Sequence, residues 1–280
     1  MKTAAYPRLK DAILLCLLLI VLQYAYTLVF TVLASVLGVA DHDATYKYGI
    51  TIVQILTFLV PLILALQKIG LPYAAVFQLK RVSWRVLGYS LIFIFGFLII
   101  SSEIDNVVGY FLPMPPFFKE MFDNFLSDDH VITAILLVIL IPGFFEEFFF
   151  RGLLLHGFAK VYSTRRSIVY SALLFGLIHL NPWQFVGAFS IGVFSAWIFI
   201  KTRSIVISIV MHMINNGLYL LTTNFPEFVP VNGFNANFVS PTVFQPLWFD
   251  CIGIAMASLG LYLLVTHFRK APGGTEGTDV

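Results

Sequence analysis

Charge is what this chain has least of. Only 11% of its 280 residues are Asp, Glu, Lys or Arg, against about 25% in a soluble domain. That shortage comes with 59% hydrophobic residues and a mean hydropathy of +0.89. Together they exclude a water-soluble globular protein and indicate a polytopic membrane protein, whose solvent is mostly hydrocarbon. Cysteine is scarce too. Cys16 and Cys251 are the only two, so no disulfide framework or CxxC metal site can be built, and both read as small buried hydrophobes. A net charge of +2 is too small to suggest nucleic acid as a partner. Three protease signatures are missing. There is no HExxH, GxSG or GxGD, which excludes the usual helix-borne zinc site and the serine and aspartyl intramembrane types. The chain also lacks an internal repeat of the kind that marks an inverted-repeat transporter.

Long apolar runs are what it has in abundance. Eight read as membrane crossings, at about 12–39, 49–67, 86–104, 131–158, 167–180, 183–200, 204–222 and 246–267; the fifth is short for one. The expected fold class is therefore all-α, a polytopic membrane protein of eight transmembrane helices around a polar intramembrane active-site cavity. The expected organisation is a single domain over 1–280, with a motif-bearing core at 131–222 and a disordered cytoplasmic tail at 271–280. Lys2, Arg8 and Lys10 precede an apolar stretch that runs from Ala12 to about Ala40, too long for a signal-peptide core of about 7–15 residues. It reads as a retained first transmembrane helix. With the N-terminus in the cytoplasm, fourteen of the seventeen Lys and Arg residues fall inside and only Lys47 and Lys119 outside. This asymmetry predicts a multi-pass cell-membrane protein with both termini cytoplasmic. Outside, Phe117, Phe118, Met121, Phe122, Phe125 and Leu126 recur at helical spacing and read as an amphipathic or covering helix. Residues 223–245 read as an outer loop. Ala188, Gly192 and Ala196 make a small-residue stripe for close helix packing.

The seventeenth basic residue, Arg151, lies inside the membrane, in the stretch GFFEEFFFR. An ionisable group there costs about 2.5–3.5 kcal/mol and marks a functional candidate. Glu147 and Arg151 are i, i+4 and share a face, with the acid first, the favourable order. Glu146 lies about 100° round the helix and is left as the reactive carboxylate. His212 and Asn216 are again i, i+4, whereas Asn215 points elsewhere and reads as a packing residue. At 1.5 Å per residue, Glu146, His179 and Asn216 each lie about 18 Å from the cytoplasmic end of their helices, and His212 about 12 Å. Scattered structural polars would not share one level. His42, His130, His156, His267 and Asp250 lie nearer segment ends and read as interfacial.

A carboxylate, two imidazoles and an amide without a nucleophilic Ser or Cys point to an activated water. Glu146 deprotonates it, His179 orients it, and His212 with Asn216 stabilises the oxyanion. A zinc ion on Glu146, His179 and His212 is equally sensible chemically, so the cofactor is zinc or none. Two other classes stay open. One is a non-catalytic immunity or scaffold protein that uses the same polar network for packing. The other is an ion-coupled transporter that uses Glu and His as a proton relay.

Three motifs carry a resemblance. Glu146-Glu147-Phe148-Phe149-Phe150-Arg151 matches EExxxR, Phe175 through His179 matches FxxxH, and His212 through Asn216 matches HxxxN. In that order they resemble the CPBP intramembrane proteases, the CAAX proteases and bacteriocin-processing enzymes related to the type II CAAX prenyl protease. The resemblance implies an eight-helix fold with a conical cavity open to the cytoplasm or the lipid. It implies Glu146 and His179 holding the water, His212 and Asn216 as the oxyanion hole, and Glu147, Arg151 and Phe175 in support. It further implies a peptide or protein substrate at the bilayer, lipidated in some members. Both metal-dependent and metal-free, glutamate-dependent mechanisms are compatible with it.

Overall fold

A computed structural model describes residues 6–40, 43–120, 131–236 and 241–270. Its elements are α1 (Leu9–Val36), α2 (Ala44–Ile69), the short α3 (Tyr73–Phe77), α4 (Trp84–Phe111), α5 (Ile132–Phe158), α6 (Thr164–Leu177), α7 (Pro182–Thr202), α8 (Ile205–Asn224) and α9 (Leu247–Lys270). Seven of the described helices are long and apolar enough to cross a membrane. The all-α polytopic fold stands. The fifth expected crossing is the exception, because α6 has 14 residues. At 1.5 Å each it spans about 21 Å, short of a hydrocarbon core about 30 Å thick. Residues 116–120 are helical. The rest of the expected amphipathic helix, together with His42, His130 and the 271–280 tail, lies outside the described residues.

Small residues set the helix spacing, as expected where lipid gives helices no hydrophobic reason to associate. Gly96 of α4 faces the backbone of Gly253 and Ala257 in α9, and Gly260 faces Phe93, so a Cβ at either glycine would strike main chain. Gly192 of α7 sits against Ala172 of α6, which puts the predicted small-residue stripe in a tight helix pair. Gly143 of α5 makes room for Met213 of α8.

The basic ends of the helices are pinned by polar contacts. Ser83 caps α4 by accepting from Val86 N at 3.3 Å, and Ser204 Oγ donates to Lys80 O at 2.5 Å. At the opposite end the 225–246 connection is tied to α4. Asn106 Nδ2 donates to Gly233 O at 2.8 Å, and Asn235 N donates to Ser102 Oγ at 2.7 Å. Between the two ends, next to the basic one, lies a dry layer of Phe149, Phe150, Leu153, Leu154, Leu155 and Phe158, all 0% exposed. Two surface expectations change. Cys251 is exposed while Cys16 is buried, and His156 is half-buried with an enclosed Nε2.

Candidate active site

The charged stretch of α5 is not a uniform α-helix. Wider π-helical turns over Ile135–Leu140 and Phe148–Leu154 flank the α-helical Ile141–Glu147. Such insertions recur at functional sites. Pro142, in the segment between them, has no N–H, so Val138 O loses its α-helical donor. Asn216 Nδ2 replaces that donor at 2.9 Å. The proline of α5 therefore fixes the amide of α8, and one N–H of that amide remains for another acceptor.

The two glutamates separate as their spacing predicts. Glu147 and Arg151 are fully buried, with Arg151 Nη1 2.8 Å from Glu147 Oε1. The contact is ionic rather than a well-aligned hydrogen bond, for Nη1 has no geometrically acceptable hydrogen-bond partner among the described residues. Arg151 Nη2 donates to Gly192 O at 3.3 Å, and the guanidinium lies over the Phe175 ring, 4.5 Å from its centroid. Helical spacing does not reveal that Glu147 has a second partner. His212 Nδ1 sits 2.9 Å from the same Oε1. A carboxylate accepts, so Nδ1 carries the proton and Nε2 is the free face of the ring. Nε2 lies 3.9 Å from Glu146 Oε2.

His179 is held in the same sense by a different route. It lies in the turn after α6, where Leu180 has a left-handed φ of 50° and Asn181 Oδ1 caps α7 by accepting from Trp183 N at 3.0 Å. The last carbonyls of a helix lack intrahelical donors, and His179 Nδ1 supplies one to Phe175 O at 2.8 Å. That bond accounts for the four-residue spacing of FxxxH and leaves Nε2 of His179 free. Phe175 meets both imidazoles edge-on, with ring centroids 5.2 Å from His179 and 5.7 Å from His212. It is a spacer between them.

Glu146, His179, His212, Asn216 and Phe175 all line one cavity of about 350 Å³. Glu147 and Arg151 stand behind it. The cavity reaches away from the basic ends of the helices, towards Met114, Lys119, Asn181 and Gln184. The dry Phe and Leu layer closes it at the basic end. Of the two openings that the resemblance implies, to the cytoplasm or to the lipid, these described walls form none at the basic end.

Sequence reasoning missed part of the wall. Asn215 lines the cavity rather than a packing face, and its Nδ2 donates to Asn216 Oδ1 at 3.3 Å. Its spacing from Asn216 suggested otherwise. Its spacing from His212, i+3, was the informative one, because i+3 and i+4 flank the same helix face. Asp105 was missed because the third crossing was ended at residue 104, whereas α4 runs to Phe111. Phe97, Ser101 and Asp105, spaced i, i+4 and i+8, form one cavity-facing stripe. The phenylalanines of GFFEEFFFR are not cavity wall; Phe149 and Phe150 are core and Phe144 is exposed. Among the described residues no three His, Cys, Asp or Glu side chains are placed to hold a metal ion. The zinc set expected from Glu146, His179 and His212 thus does not fit this arrangement.

Comparison with known proteins gives two matches. Over 210 residues the chain is 25% identical to the uncharacterized protein YyaK of Bacillus subtilis (strain 168), across 71% of this chain and 67% of YyaK. No solved structure gives a significant match. Residues 128–218 match the family described as type II CAAX prenyl endopeptidase Rce1-like. That stretch contains Glu146, Glu147, Arg151, Phe175, His179, His212 and Asn216, and over it the chain is similar to the Rce1-like, CAAX-protease family.

Proposed function

We propose that the protein is an intramembrane endopeptidase that hydrolyses a peptide bond with a water molecule activated by Glu146 and His179. The observation that carries this reading is the shared cavity. Two imidazoles, each anchored through Nδ1 with Nε2 left free, line it together with one carboxylate, Glu146, and one amide, Asn216. Glu146 takes a proton from the water, and the water oxygen attacks the substrate carbonyl. The oxyanion accepts from the remaining N–H of Asn216 and from Nε2–H of His212 in its doubly protonated form. Collapse breaks the C–N bond, and Glu146 returns its proton to the leaving amine. Glu147 and Arg151 hold His212 in register without touching substrate. The donor arrangement supports a route in which residues alone hold the water.

The placement of fourteen basic residues supports a cell-membrane location with both termini cytoplasmic. In that orientation the cavity faces the non-cytoplasmic side, and the substrate is a peptide or protein segment presented there, lipidated or not. Two experiments test these statements. Purified protein in proteoliposomes, given a quenched peptide library, should release fluorescence, and the Glu146→Gln variant should not. Retained cleavage by that variant removes the base and with it the mechanism. In a Cys251→Ser background, a membrane-impermeant maleimide should label Gln184→Cys in intact cells and Lys160→Cys only after permeabilisation. The opposite pattern inverts the orientation.

A further inference from the structure

The end of α4 away from the basic loops carries four polar side chains in five residues, Ser102, Glu103, Asp105 and Asn106. Three of them are occupied by the 225–246 connection. Ser102 Oγ accepts from Asn235 N. Glu103 Oε2 accepts from Asn106 Nδ2 at 2.8 Å and from Gln245 N at 2.9 Å. Asn106 also donates to Gly233 O. Asp105 joins none of this. It points from the Phe97–Ser101–Asp105 stripe into the cavity, and among the described residues it has no hydrogen bond or ion pair.

An unpaired carboxylate on a membrane helix is costly and is retained where it meets a ligand or an ion path. The segment that carries Asp105 is held from both sides. Ser101 Oγ packs where Gly187 of α7 lacks a Cβ, and Leu112 O accepts from Trp183 Nε1 at 2.7 Å. Asp105 sits between these two contacts, so its position in the wall is fixed. Lys119, the one Lys or Arg among the described residues of the cavity wall, is itself engaged. A carboxylate held this way in a partly desolvated pocket favours a cation with N–H donors.

We propose that Asp105 forms a cation-recognising subsite in the outer part of the cavity, which selects substrates bearing a Lys or Arg side chain near the scissile bond. The proposal rests on the reading of the cavity as a peptidase site. It makes Asp105 a specificity residue, with no part in water activation.

The test uses full-length protein in detergent micelles. Two acetylated, amidated octapeptides serve as probes, identical but for a central lysine in one and norleucine in the other. The wild type should cleave the lysine peptide at least tenfold faster in kcat/KM, chiefly through KM. In Asp105→Asn the ratio should fall towards one, and in Asp105→Lys a glutamate peptide should replace lysine as the preferred probe. Binding is read separately, by fluorescence anisotropy of labelled probes on Glu146→Gln protein. The lysine probe should bind at least tenfold tighter than norleucine, and the Glu146→Gln/Asp105→Asn double variant should lose that difference. Equal binding of the two probes, or a lysine preference that survives Asp105→Asn, overturns the subsite. Lysine-selective binding without cleavage of any probe by the wild type supports the subsite and overturns the peptidase reading instead.

Discussion

Glu146 and Glu147 are neighbours in sequence and occupy two different regions of the molecule. Glu147 belongs to the closed region. It is 0% exposed and shares one oxygen between Arg151 and His212. Glu146 belongs to the cavity, with 12% of its side chain exposed and the His212 imidazole 3.9 Å away. One helical step of about 100° makes the difference. A carboxylate bound by a guanidinium and an imidazole N–H is a brace and is not free to move a proton. A carboxylate left facing a cavity can accept one. The same residue type is structural on one side of the helix wall and, in the proposed mechanism, reactive on the other.

Removing the reactive side should have the largest effect on turnover. Glu146→Gln keeps the shape and removes the base, so cleavage of a quenched peptide should fall by about 10²–10⁴-fold. Its thermal unfolding curve in detergent should overlay that of the wild type. A large drop in melting temperature would mean that Glu146 is a second brace.

The brace should respond in the opposite manner. Arg151→Met strands a buried carboxylate, and breaking such a pair costs about 3–5 kcal/mol, to be seen as a lower unfolding midpoint. Glu147→Leu together with Arg151→Met removes both charges and should recover most of that stability. Activity should stay low, because His212 has lost the acceptor that sets its tautomer. Full activity in the double variant would show that His212 needs no such acceptor.

Asn216 connects the two regions. Asn216→Ala removes the proposed oxyanion donor, which should lower kcat by about 10²–10³-fold with little change in KM. It also leaves Val138 O without its substitute donor, a loss of about 1–3 kcal/mol in unfolding free energy. Asn215→Ala removes only the bond that orients Asn216. A bond of about 1 kcal/mol corresponds to a roughly fivefold loss in kcat/KM. The smallest effect should come from metal removal. Treatment with 1,10-phenanthroline should leave the rate unchanged, and elemental analysis should find less than one zinc per chain. Inhibition that added zinc reverses would return a metal to Glu146, His179 and His212.

Much of this was legible in sequence because it follows from spacing. The separation of Glu146 from Glu147, the Glu147–Arg151 pair and the approach of His179, His212 and Asn216 to one cavity all follow from helical repeat and depth. The Glu147–His212 bond did not, because it joins residues 65 apart in sequence on helices whose rotation about their axes no local pattern sets. The end of α6 was misplaced for a different reason. Ile178 and His179 are as compatible with continued helix as with a turn, and the turn is formed by Leu180 adopting a left-handed conformation. Asp105 was lost to a boundary error, since the apolar run fades before the helix does. Pro142 was visible, and its consequence was not, because the partner of the orphaned Val138 carbonyl lies on another helix.

The dry layer from Phe149 to Phe158 has an electrical consequence. An aqueous cavity that enters from one face conducts well compared with hydrocarbon, so a membrane voltage drops mainly across what remains closed. Here that is the layer at the basic end, thinner than the bilayer itself. A full charge moved through 100 mV changes energy by about 2.3 kcal/mol, and the field that does this work is concentrated just behind Glu146 and His212. The same layer of phenylalanine and leucine that shapes the bundle is therefore its insulation. Opening it with small or polar residues should turn a cavity into an ion leak.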